Sequence, residues 1–189
     1  MPIRPASLLL AAAALALSAQ APKPKVVRES PAASVSQDLG LTHVEIAYHR
    51  PAVKGRGIWG GVVPYDKVWR TGANECTTIT FSGPVKVAGQ EVPAGTYGFF
   101  AIPGKDRWTL ILSKNATQWG AFSYKQAEDQ LRFTVAPQPA PMHEWLEYEM
   151  DLQDQAWVTV TLSWEKLAVS FPITADIPDL AALKAKWAK

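Results

Sequence analysis

This sequence predicts an all-β fold, an antiparallel β-sandwich of jelly-roll or immunoglobulin-like two-sheet type, and three observations carry the prediction. Roughly eight to ten short runs alternate between apolar and polar residues, the period of a half-buried strand. Turns rich in Gly and Pro separate them, from a stock of 12 Gly and 15 Pro in 189 residues. No helical period intervenes before the last residues, so the β-α-β crossovers of a parallel sheet have nothing to build them. A closed barrel is the alternative.

The composition fits a packed domain. With 48% apolar and 19% charged residues the chain is not largely disordered. Its 19 basic and 17 acidic residues leave a formal charge of +2, too balanced for a nucleic-acid or membrane-surface binder.

Taken in order, residues 1–19 read as a secretory signal peptide. Arg4 supplies the positive start, and Leu8 to Leu17 is an apolar run too short for a bilayer core of about 30 Å. Small residues at Ser18 and Ala19 offer the cleavage point, so a periplasmic or secreted location is expected, with no lipid anchor because no cysteine directly follows the apolar run. Residues 20–32 hold Pro22, Pro24 and Pro31 and read as an extended lead-in. The sandwich is expected over 33–175.

Its first strand is Thr42–His49, with Val44, Ile46 and Tyr48 on one face and Pro51 ending it. After a long loop come Cys76–Phe81, Pro84–Val87, Gln90–Val92, Thr96–Ile102 and Arg107–Ser113, the last placing Trp108, Leu110 and Leu112 on one face. Leu131–Val135 precedes a proline-rich loop at Pro137–Pro141, and Trp145–Leu152, Ala156–Trp164 and Lys166–Ile173 complete the strands. Over 176–189, Asp176 can cap a short C-terminal helix whose Leu180, Leu183 and Trp187 share a face.

The long loop, Arg50 to Glu75, is the candidate functional element. It mixes glycines with Arg50, Lys54, Arg56, Lys67 and Arg70 and with Trp59, Tyr65 and Trp69, and it has no sustained period. Loops beyond about 12–15 residues are usually functional or disordered, and the large apolar side chains here argue for order.

Motifs in and around that loop carry a resemblance. Tyr48-His49-Arg50-Pro51, Val53-Lys54-Gly55-Arg56, Trp59-Gly60-Gly61, Val63-Pro64-Tyr65 and Val68-Trp69-Arg70-Thr71-Gly72-Ala73-Asn74 occur in sequence. They are followed by Pro93-Ala94-Gly95-Thr96-Tyr97, Trp119-Gly120-Ala121, Leu131-Arg132 and Trp164-Glu165. In these motifs the chain resembles a bacterial family of exported proteins, the domain of unknown function family 2911. The resemblance covers nearly all of the chain after the signal and implies a single exported domain. It brings no catalytic residue with it.

Ligand chemistry is read from the residues themselves. Arg50, Lys54, Arg56, Trp69, Arg70 and Asn74, joined by Trp119, form a basic and aromatic set. Guanidinium forks bind carboxylate or phosphate, Asn both donates and accepts, and an indole face stacks on a sugar or cation. The partner expected is a small polar or anionic ligand, a glycan or an envelope protein. The competing reading, which the length of the loop favours, is that Arg70 and Asn74 tie it down by bonding its orphan carbonyls and amides. The Glu144–Asp154 segment is acidic, and the basic loop is expected to face it within the fold.

Other chemistries fare worse. His43, Glu45 and His49 share one strand face, but a rise of about 3.3 Å per residue sets the two histidines about 20 Å apart, too far for one ion. No nucleophile elbow occurs, and Cys76, the only cysteine, reads as a small buried strand residue. The expectation is therefore no cofactor, no metal and no catalytic residue. The alternative is a hydrolase of cell-envelope glycans using Asp66 and Glu75, which needs those carboxyls about 5–10 Å apart across a cleft.

Overall fold

The computed structural model describes residues 27–177 and Ala185. Residues 1–19, expected as a signal peptide, the expected lead-in up to residue 26 and, apart from Ala185, the expected helix from 178 onward lie outside the described residues. Asp176 and Ile177, where that helix is expected to begin, are irregular.

The chain folds as an all-β sandwich. One sheet holds β1 (Ala32–Leu39), β2 (Thr42–His49), β3 (Thr78–Phe81), β6 (Gly95–Ile102), β7 (Trp108–Ser113) and β8 (Asp129–Val135), in the order β1-β2-β3-β6-β7-β8. The other holds β4 (Val85–Val87), β5 (Gln90–Val92), β9 (Gln138–Asp154) and β10 (Trp157–Thr174), in the order β5-β4-β10-β9. Every strand pairing is antiparallel.

Alternation puts Val44, Ile46 and Tyr48 of β2 and Trp108, Leu110 and Leu112 of β7 into the core. They meet Leu146, Tyr148, Val160, Trp164 and Phe171 of the second sheet in one apolar cluster. Aromatic rings tie the two layers together: Tyr48 lies edge-on to Tyr148 at 4.7 Å, and Phe99 lies 5.5 Å from Phe171. On the outer face of the first sheet, Cys76, Phe100 and Ile111 form a second small cluster under Tyr124.

Three element readings change. Ala32–Leu39 is a full strand, paired residue for residue with β2 from Ala32–His49 to Leu39–Thr42. Its mixture of Ala, Ser and Gln carries little strand propensity, and its order comes from its partner. The proline-rich stretch expected as a loop is the start of β9, paired there through Pro139 with Leu167 and Gln138 with Ala168. β9 is an edge strand, where a residue without an N–H is tolerated. The two strands expected over Ala156–Ile173 are one, β10, with register shifts at Trp157/Val158 and about Glu165, whose φ is 56°.

Candidate functional site

The loop between β2 and β3 is ordered because it is stitched to both sheets. Pro51 and Val53 exchange backbone hydrogen bonds with β9, Leu146 N–H to Pro51 carbonyl at 3.0 Å and Val53 N–H to Glu144 carbonyl at 2.8 Å. Trp69 and Ala101 of β6 bond reciprocally, both at 2.8 Å, and Asp66 N–H donates to Pro103 carbonyl at 2.8 Å. The far end is held by Cys76 N–H on Gln118 carbonyl and Gly120 N–H on Asn74 carbonyl.

Indoles fill its base. Trp59 and Trp69 of the loop pack with Trp108 of β7 and Trp164 of β10, ring centroids 4.8–6.2 Å apart. Trp69 is 9% exposed and donates its indole N–H to Gly72 carbonyl at 3.1 Å. It is a foundation of the loop, with only an edge left for a ligand.

A cleft of about 300 Å³ opens above this base, lined by Lys54, Arg56, Trp69, Arg70, Asn74 and Trp164 among others. Five of the seven residues singled out from the sequence thus converge. Arg50 and Trp119 do not line it. Arg50 reaches β9 instead, giving Nε–H to Leu146 carbonyl and Nη2–H to the Glu147 carboxylate, both at 2.9 Å. Together with Lys54 N–H on Glu144 Oε1 at 2.9 Å, this is the facing of basic loop and acidic strand that the sequence suggests. Trp119 is 55% exposed beside the cleft, and Arg28 lies over its ring, 5.5 Å from the centroid.

The three arginines therefore have different roles. Arg56 is a staple: its guanidinium donates to Ala52 carbonyl at 2.6 Å and Val53 carbonyl at 3.1 Å, both within its own loop. Arg50 is a clasp to β9. Arg70 is half-buried at the cleft, and its Nε–H is buried with no acceptor among the described residues. Burial pulls its guanidinium below the usual pKa, and the nearby Cys76 opposes that shift only in part. A guanidinium in protein stays charged even so.

The backbone around Arg70 is strained. Lys54, Asp66, Thr71 and Asn74 all have φ between 49° and 59° without being glycine. Thr71, β-branched and fully buried, is the most costly of these, and three bonds hold it. Its hydroxyl donates to Phe99 carbonyl at 2.9 Å, and its carbonyl accepts from Tyr148 hydroxyl at 2.8 Å and Thr77 hydroxyl at 3.4 Å. Gly72 follows because a Cβ there would meet Thr77 Oγ1 at 2.7 Å and His49 carbonyl at 3.1 Å. Strain of this kind persists only where the surroundings over-determine it, and here it sets the position of Arg70.

Neighbouring titratable groups supply no nucleophile. Burial pushes the Cys76 thiol up to about 12, with a backbone hydrogen bond and Arg70 pulling weakly the other way. Burial also lowers His49, against the attraction of Glu75 at 3.5 Å. Burial alone would raise the Glu75 carboxyl, but its hydrogen bond and charge contact with Arg28 at 2.5 Å hold it below the usual range. Asp66 is exposed beside Pro103 and Gly104, whereas Glu75 faces Arg28 and His49, so the two carboxylates engage different neighbours. Among the described residues no three His, Cys, Asp or Glu side chains are grouped to hold a metal ion.

Three contributors to this region escape a reading of the sequence. Trp164 lies far along the chain in a strand, and Glu29 and Ser30, which line the cleft, sit in the lead-in. Only the Trp164-Glu165 motif pointed at the first, and nothing local pointed at the other two. Chemically, the cleft offers hydrogen-bond donors and positive charge, which matches a group that only accepts, such as carboxylate or phosphate.

Comparison with known proteins places the chain in one family. No curated protein and no solved structure matches it. Residues 30–173, from the edge of the cleft almost to the end of β10, match the family model described as "Protein of unknown function (DUF2911)", and the chain belongs to that family.

Proposed function

We propose that this protein is an exported, non-catalytic binding protein that holds a small anionic ligand, bearing a carboxylate or phosphate, in the cleft beside Arg70. The observation that carries this reading is Arg70, half-buried at the cleft, whose buried Nε–H has no acceptor among the described residues. An unpaired buried donor costs about 1–3 kcal/mol, and a charged one more, so an anion that settles beside Arg70 relieves that cost. Lys54 and Asn74 line the same cleft and add charge and a second donor type. A neutral glycan fits less well, because Trp69 is buried and Arg28 lies over the Trp119 ring. Export rests on the signal-like character of residues 1–19.

The test is calorimetric titration of the wild type and Arg70→Met with inorganic phosphate, galacturonate and neutral galactose. Saturable binding of at least one anion is expected, with no heat from galactose. The variant should bind roughly ten- to a hundredfold more weakly, the range of a lost charge-assisted bond. Failure of both anions to bind, or equal affinity in the variant, would refute the proposal.

A further inference from the structure

Residues 28–31 form a strap along the border of the cleft. Glu29 and Ser30 line it together with Lys54, Arg70 and Asn74, and with Arg28, Asn74 and Trp119 they line a second, more open depression. From its anchor, where Pro31 carbonyl accepts from Arg50 N–H at 2.8 Å, the strap is held by side chains. Asn74 Nδ2 donates to Ser30 carbonyl at 3.2 Å, and Arg28 Nη1 donates to Glu75 at 2.5 Å while covering Trp119. The Glu29 carboxylate stands 3.8 Å from the Lys54 ammonium. No backbone N–H of residues 28–30 donates to an acceptor among the described residues.

Three residues of the candidate site, Lys54, Asn74 and Trp119, are thus already engaged by the strap. The acid it brings to the cleft has the chemistry proposed for the ligand. From this coincidence we infer that the 28–31 strap is a built-in competitor: Glu29 stands at the rim of the basic cleft as an internal anion paired with Lys54, and an incoming anion must displace it. This rests on the anion-binding reading of the cleft. The contact is weak enough to be displaced, since the Glu29 side chain is 91% exposed and that of Lys54 is 55% exposed. Exposed pairs of this kind are worth little, which sets the expected size of the effect.

The experiment compares full-length wild type, Glu29→Gln and Glu91→Gln in titrations with inorganic phosphate and with galacturonate. Glu91 is exposed on β5 in the other sheet, so its variant makes the same change in net charge away from the cleft. Glu29→Gln should tighten anion affinity by roughly two- to fivefold over the wild type, and Glu91→Gln should not. A second readout is tryptic cleavage after Arg28, located by mass spectrometry. Saturating anion should speed it by about twofold or more as the strap lifts. If the wild type binds anion but Glu29→Gln binds no better than Glu91→Gln, or if ligand leaves the cleavage unchanged, the strap inference is wrong while the cleft reading stands. If none of the three proteins binds either anion, the cleft reading falls and takes the strap with it.

Discussion

Replacing Arg70 by methionine removes a charge and five N–H donors while keeping an unbranched stem. Two accounts of Arg70 predict opposite signs. If it staples the loop, as Arg56 does, the variant loses bonds and is less stable. The structure gives it no bond to lose: its Nε–H is buried without an acceptor among the described residues, and burial already disfavours its charged form. Relieving one buried, unsatisfied donor returns about 1–3 kcal/mol, and part of that is spent on the lost contacts of the terminal guanidinium. The expected net is a gain of about 1 kcal/mol, or about 2–4 °C in Tm for a domain of this size. Urea denaturation followed by far-UV circular dichroism, with scanning calorimetry beside it, measures this directly. A loss of more than about 1 kcal/mol would refute the reasoning and make Arg70 a structural residue.

Other perturbations separate scaffold from site. Arg56→Ala deletes the bonds to Ala52 and Val53 carbonyls and should cost about 1–2 kcal/mol in urea denaturation. Its anion affinity should fall less than that of Arg70→Met. Tyr148→Phe removes the hydroxyl that braces Thr71 carbonyl, so it should cost about 1–2 kcal/mol. By relaxing the φ of 50° next to Arg70 it should also weaken anion binding, readable in the same titration. Cys76 makes stability depend on alkaline pH. Its folded pKa, raised to about 12, exceeds the ordinary 9.0, so between those values the folded state binds more protons than the unfolded one. The stabilisation is complete below the unfolded value and falls by about 1.4 kcal/mol per pH unit above it. Cys76→Ala should flatten the stability profile between pH 9 and 10, measured by urea midpoints.

How much of this was legible in the chain depends on how local each signal is. The alternation of Val44, Ile46 and Tyr48, and of Trp108, Leu110 and Leu112, fixes which face is buried because strand period is a property of a few adjacent residues. β1 was missed because Ala32–Leu39 is polar and small, and it is a strand only through its register with β2. Pro139 and Pro141 read as loop residues because a proline breaks a central strand, whereas the edge position of β9 is decided by the whole sheet. The candidate site shows the same division. Its composition could be read from the loop, but the assignment of Arg50 and Arg56 as structural and Arg70 as unpaired could not. Arg50 finds its partners at Leu146 and Glu147, some 96 and 97 positions away. A lone sequence does not say which of several arginines is left without an acceptor.

The most direct measurement of the central claim is the Arg70 Nε–Hε cross-peak in a 1H–15N spectrum, assigned by its absence in Arg70→Lys and followed as inorganic phosphate or galacturonate is added. An unpaired guanidinium that captures an anion should show a saturable shift of this peak, at ligand concentrations matching the calorimetric titration, while the stapled Arg56 resonance moves little. A stationary Arg70 peak, with both anions at concentrations that shift surface lysines and arginines, would contradict the account.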